Sequence, residues 1–294
     1  MTNLATNLTS TAATNAEQDA LRINGQGVTY AQLHAMAAAV AGTLRANGIQ
    51  PGDRVAIILP NVPAFPVVYW GILRAGAIVV PMNPLLKAGE IDYFFSDSGA
   101  KVAFVWPDFV DEATKGAANA GTRIIPCGPM GPADGTLEGG EPIAEAIERD
   151  DEDTAIILYT SGTTGRPKGA ELTHRNVRLN AERSSGVILE VRPDDVVMGC
   201  LPLFHVFGLV VGLVAATNVG ASLALIPRFD PGEAIKVISN EKVTIFQGVP
   251  TMYAAILNHP EADAMDATSL LACASGGSAM PLEVMRGFEE KFGC

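Results

Sequence analysis

Residues 54–80 read RVAIILPNVPAFPVVYWGILRAGAIVV. The first six form a short apolar run closed by Pro60, the pattern of a buried strand. Residues 62–74 carry apolar faces over the length of a helix, and Gly76 stands where a helix terminates. Residues 77–80 are a second buried strand. Outward from there, 88–98 reads as a helix ended by Gly99, and 101–105 as a third strand. Strand–helix alternation of this kind predicts an α/β fold with a mainly parallel sheet covered on both faces by helices.

A Gly- and Pro-rich stretch, 128–140, interrupts the series, and an acidic run, Glu148 to Asp153, follows it. Like charges in a run repel and seek water, so this run is read as a solvated turn, not a metal site. Alternation then resumes. Strands are predicted at 154–159, 196–200, 222–226, 243–247 and 269–275, and helices at 175–189, 207–216, 250–257 and 281–291. A further helix opens at Pro231, with Asp230 as its cap and Glu233 placed for a capping box. Leu282, Met285, Phe288 and Phe292 form one apolar stripe on the final helix.

The chain has 294 residues, 48% hydrophobic and 18% charged, a globular composition. Its formal net charge is −12, which argues against a nucleic-acid partner, because neutralising phosphates takes a basic surface. An anionic ligand must therefore be held locally. Residues 196–227 contain no Asp, Glu, Lys or Arg. Their longest clean apolar piece, 207–216, falls short of the roughly 20 residues a bilayer span needs. No transmembrane segment is expected, which leaves peripheral membrane contact open. Cysteines stand at 127, 200, 273 and 294 without Cys-x-x-Cys spacing, and read as buried or free thiols of a cytoplasmic protein. Residues 1–20, rich in Thr, Asn and Ala, read as a flexible polar tail, not a targeting signal.

The chemistry concentrates in Tyr159-Thr-Ser-Gly-Thr-Thr-Gly-Arg-Pro-Lys-Gly169. Thr160, Ser161, Thr163 and Thr164 place four hydroxyls within five positions. Gly162, Gly165 and Gly169 permit backbone conformations that turn N–H groups toward a ligand, and Lys168 adds a mobile cation. Between a strand and a helix starting near Thr173, these groups make a polyphosphate cradle. It is neither a Walker A loop nor a Gly-x-Gly-x-x-Gly fingerprint. His205, between Phe204 and Phe207, is either a packed structural residue or a general base.

This loop resembles the signature of the adenylate-forming superfamily, which includes acyl-CoA synthetases, aryl-CoA ligases and luciferases. The likeness runs through the chain. Val28-Thr-Tyr-Ala-Gln-Leu33 resembles the family's early motif, and Leu73-Arg-Ala-Gly-Ala-Ile-Val-Val-Pro-Met-Asn-Pro84 its second. Leu201-Pro-Leu-Phe-His-Val-Phe-Gly208 resembles the aromatic acyl-site motif, and Ala274-Ser-Gly-Gly-Ser-Ala279 the adenine-side loop.

The resemblance implies two packed lobes and a two-step reaction. A carboxylate attacks the α-phosphate of ATP, releasing pyrophosphate, and the thiol of coenzyme A then displaces AMP. It implies that Thr160 to Gly165 and Lys168 hold the phosphates, with Thr160 near Mg²⁺. Gly277, Ser278 and Ala279 would border the adenine. His205 (as the catalytic candidate), Phe207, Met252 and Gly276 would face the acid, although Met252 and Tyr253 read equally well as helix core. A fatty acid is the expected substrate, with a 4-coumarate-type aryl acid or a non-catalytic remnant as alternatives. The family's aromatic-Gly-x-Thr-Glu motif does not occur. Residues 21–294 therefore read as an incomplete large N-terminal domain without the small C-terminal domain, a truncated portion expected to be inactive alone.

Overall fold

The structure, a computed structural model, describes residues 3–132, 137–160 and 165–294. Thirteen strands occur among them: β1 (Asp19–Ile23), β2 (Gln26–Thr29), β3 (Arg54–Ile58), β4 (Ile78–Pro81), β5 (Ala100–Val105), β6 (Arg123–Gly128), β7 (Gly131–Pro132), β8 (Thr154–Thr160), β9 (Lys168–Thr173), β10 (Val196–Gly199), β11 (Ser222–Leu225), β12 (Ile245–Gly248) and β13 (Ala272–Ser275). They divide between two compact units. One comprises residues 1–16 and 31–180, the other 17–30 and 181–294.

The first unit carries a sheet of order β7-β6-β5-β3-β4-β8-β9. Its centre is parallel, with Val55 level with Val79 on one side and Val102 on the other. On one face, Ala56, Ile58, Val80 and Val105 pack against Ile91, Phe94 and Phe95 of the helix Ala88–Ser98. The helix Ala64–Arg74 is buried on every side, Trp70 included, as its all-round apolar sequence requires. Each large side chain buried in this way contributes about 1.5–3 kcal/mol.

Arg74, at the end of that helix, is wholly buried yet fully engaged. Its guanidinium donates to the carbonyls of Ile143 (2.6 Å) and Ala144, to Thr9 Oγ1 (3.3 Å), and meets His34 Nε2 at 2.9 Å. The contact with Thr9 belongs to a correction. Residues 1–20 are not a tail. Thr6–Thr14 is a helix, Leu4 and Leu8 are fully buried, and Asp19 begins β1. Asn3 Nδ2 donates to the carbonyls of Leu73 and Ile147, and the Leu4 N–H donates to His174 Nδ1 at 3.0 Å. Leu4 lies in the turn that leads into the helix, and Leu8 on the helix's buried side with Thr11. The surrounding polar residues masked these positions.

The acidic run is a turn, but a paired one. Arg149 meets Asp153 at 3.0 Å, Arg178 meets Asp151 at 3.0 Å, and Arg175 meets Glu152 at 2.8 Å. Two of these cations come from the helix His174–Arg183.

The second unit carries a sheet of order β13-β12-β10-β11-β1-β2. All its pairings are parallel except the β1–β2 hairpin. The helix Pro231–Asn240 opens as its sequence predicts, with Asp230 accepting from the Glu233 N–H at 3.0 Å. The predicted helix over 207–216 is π-helical from Phe207 to Val214 and α-helical from Ala215 to Val219. Among the described residues, no helix is long and apolar enough to cross a membrane.

Candidate functional site

In the first unit, β8 precedes the Thr/Ser/Gly segment, and the element described after it is the strand β9, not a helix. What the described flanks show is that the strands on either side of it pair with each other. β8 and β9 run antiparallel, and Thr160 is the cross-strand partner of Lys168. The predicted strand-to-helix connection fails because Lys168–Thr173 forms a ladder with β8 before the helix starts at His174. Ser161, Gly162, Thr163 and Thr164 lie outside the described residues. The flanking residues define the hairpin's mouth. Thr160 and Lys168 are both exposed, with their backbones in register.

The glycines divide by role. Gly165 has φ +90° and open space where a Cβ would stand, so backbone conformation alone demands glycine. Gly169 sits opposite Tyr159, and a Cβ there would come within 2.9 Å of Ile157. Its absent side chain leaves room for Ile157 in the β8–β9 ladder.

One face of the helix Ala88–Ser98 steadies this hairpin. The Tyr159 ring stacks on Phe94 at 4.1 Å, and its hydroxyl donates to Asp97 Oδ2 at 2.6 Å. Burial, and then the Asp97 carboxylate, raises the Tyr159 pKa and keeps the phenol protonated. Tyr93 donates to the Pro167 carbonyl at 2.8 Å, and the Arg166 guanidinium lies 5.9 Å from the Tyr93 ring centroid. A cavity of about 590 Å³ opens here, walled by Tyr93 and Glu90 on one side and by Gly165 and Arg166 on the other. Among the described residues, no three His, Cys, Asp or Glu side chains converge on a possible metal position.

In the second unit, the remaining candidates gather at the carboxyl ends of three parallel strands, β10, β12 and β13. Ligands of open parallel sheets bind at such ends. Gly276 follows β13, and its N–H donates to the Gly248 carbonyl at the end of β12. A Cβ on Gly276 would lie 2.6 Å from Cε1 of Phe207. The structure thus brings Phe207 and Gly276 into contact. Gly277 (φ +80°), Ser278 and Ala279 continue as an exposed turn.

His205 is exposed, and its Nδ1 accepts the Phe207 N–H at 3.4 Å. Met252 is half-buried against the cluster containing Phe246, Tyr253 and Phe288. Tyr253 itself is core: its hydroxyl bonds the carbonyls of Phe246 (3.1 Å) and Ala274 (2.8 Å), tying β12 to β13 below the Gly276 turn.

Sequence reasoning missed Gln247. It is 1% exposed, and Nε2 donates to the Val211 carbonyl at 3.0 Å within the π-helical turns. Its Oε1 is buried without a hydrogen-bond partner among the described residues. The available signal was a carboxamide inside the apolar strand Ile245–Gly248.

The model of the AMP-binding enzyme family matches residues 8–294, and the chain belongs to that family. It is 33% identical to a long-chain-fatty-acid–CoA ligase of Bacillus subtilis, over 97% of this chain and 57% of that protein. It is 37% identical to a feruloyl-CoA synthase of an Amycolatopsis species, over 90% of this chain and 52% of that protein. A benzoate CoA ligase from Burkholderia xenovorans has the same fold, with a TM-score of 0.91 and 30% identity, covering 100% of this chain and 60% of that one. The chain thus spans a little over half the length of these relatives.

Proposed function

We propose that this chain supplies the phosphate hairpin and the acid- and adenine-side loops of an ATP-dependent acid–CoA ligase. In the reaction, a carboxylate oxygen attacks the α-phosphorus of ATP, the bond to pyrophosphate breaks, and an acyl adenylate forms. The thiol of coenzyme A then takes the acyl group and AMP leaves. In such transfers the protein chiefly positions groups and neutralises charge.

The observation that carries the reading is the contact of Phe207 with Gly276 at the strand ends. It joins the segment resembling the aromatic acyl-site motif to the one resembling the adenine-side loop. In this reading Gly276, Phe207 and the exposed edge of Met252 border the acid, and Gly277, Ser278 and Ala279 the adenine. His205, the catalytic candidate, lies beside Phe207.

The segment Thr160 to Gly165 and Lys168 would take the β- and γ-phosphates, where a charge-assisted contact is strongest. Mg²⁺ commonly keeps several waters and is bound through substrate phosphates and few protein ligands. One exposed hydroxyl, Thr160, fits such a role. The ion would offset charge on the phosphates.

A fatty acid is the first reading of the substrate, supported by the Bacillus subtilis relative. An aryl acid is the second, favoured by the higher identity to the feruloyl-CoA synthase. Equilibrium dialysis of the chain with ATP, and with a ladder of straight-chain and aryl acids, tests both. Saturable binding of ATP that Lys168→Ala weakens supports the hairpin assignment. Equal retention of ATP by the two proteins rejects it.

A further inference from the structure

Two of the four cysteines, far apart in sequence, meet in the second unit. Cys273 lies in β13, and Cys294 follows the helix Leu282–Phe292. Their sulfurs are 3.3 Å apart. A disulfide needs about 2.05 Å, so a small movement of either side chain closes the gap.

The surroundings hold both ends in place. Phe288 of the helix is buried against Tyr253, 5.0 Å between ring centroids, and stacks near Phe246 at 6.1 Å. Tyr253 bonds the carbonyl of Ala274, the neighbour of Cys273. Both thiols are half-buried and line a cavity of about 390 Å³, which gives a reagent access. Cys127 and Cys200 are buried, and burial pushes each of their thiols up to about 12.

We propose that Cys273 and Cys294 are an oxidisable thiol pair, closed to an intrachain disulfide by a low-molecular-weight disulfide such as oxidised glutathione. The hydrogen bond from the Cys273 thiol lowers the pKa of Cys294, which makes Cys294 the attacking thiolate. It attacks one sulfur of the oxidant, forms a mixed disulfide and releases one glutathione thiolate. Cys273 then loses its proton to solvent and attacks the Cys294 sulfur, releasing the second glutathione. Two protein thiols are oxidised and one glutathione disulfide is reduced to two thiols. The product closes residues 273–294 into a covalent ring containing Gly276, Gly277, Ser278 and Ala279. The proposal concerns a modification site and stands apart from the ligase reading.

The test incubates the chain with oxidised glutathione, then counts thiols after denaturation and digests it with trypsin without reductant. The expected result is a fall from four thiols to two, with the peptide 243–286 joined to 292–294 and restored by dithiothreitol. The Cys294→Ser variant is expected to form no intrachain link. Four surviving thiols, stable glutathione adducts on both Cys273 and Cys294, or a link through Cys127 or Cys200 would each overturn the proposal.

Discussion

The Phe207 ring occupies the space where a side chain on residue 276 would begin: a Cβ there would stand 2.6 Å from Cε1 and 3.1 Å from Cζ. Real Cβ contacts are not this short, so any larger residue at 276 must displace the ring. Gly276→Ala is therefore expected to disturb the proposed acid side of the site while leaving the β8–β9 hairpin intact. Phe207→Ala is expected to shift preference among acids, with ~1–3 kcal/mol between competitors differing by about one methylene. Competition binding over a ladder of straight-chain and aryl acids reads this out. An unaltered order of preference in both variants would place the pair in the core only.

Lys168 begins β9 opposite Thr160 and reaches solvent at the mouth of the hairpin. Losing one charge-assisted contact to a phosphate costs about 1.5–3 kcal/mol. Lys168→Ala is thus expected to weaken ATP binding by roughly ten- to a hundredfold. Gly165→Val is expected to be at least as damaging, because φ +90° strains any β-branched residue. Circular dichroism of both variants should remain that of the parent, which separates a lost contact from a lost fold.

His174 is 1% exposed and accepts the Leu4 N–H through Nδ1. Burial, and then Arg149, lowers its pKa from 6.5 to about 4, against the opposing pull of Asp153 and Asp151. Its folded pKa lies below its unfolded value. The stability it contributes is therefore complete above pH 6.5 and declines as pH falls toward 4, on the order of 3 kcal/mol in all. Urea midpoints between pH 7 and pH 4 measure the loss. Carboxylates titrate in the lower part of this window, so the comparison is with His174→Gln, which keeps an acceptor but does not titrate. Equal pH slopes for the two proteins would refute the assignment.

The N-terminal segment is integral to the first unit. Leu8 is fully buried. Leu8→Ala is expected to cost about 2–5 kcal/mol through lost burial and the cavity left behind. Denaturant titration followed by the fluorescence of Trp70 and Trp106, both in this unit, would show an earlier transition. A midpoint within error of wild type would restore the reading of a loose tail.

Local patterns in the sequence were enough for the alternation of apolar strands and helices, the Asp230 cap, and the parallel character of both sheets. Those features follow from nearest-neighbour periodicity, which a chain carries wherever it folds. The candidate phosphate positions were proposed for the same reason, since hydroxyls, glycines and a cation fall within eleven residues. The packing of Gly169 was not legible, because only the pairing with Tyr159 puts Ile157 against it. Nor was the hairpin itself. Lys168–Thr173 is polar and half-exposed, and it is a strand because β8 presents an open edge to it.

The sequence by itself therefore determined the fold class and the order of most elements, and it proposed the residue types of the candidate site. Tertiary structure alone decided the partners. It buried Leu4 and Leu8, set Arg74 among carbonyls of residues 69 and 70 positions away, and placed Cys273 beside Cys294. Periodicity and capping act within a few residues, whereas these contacts form only when distant segments of chain pack against each other. Their energy comes from burial that no local stretch can supply alone.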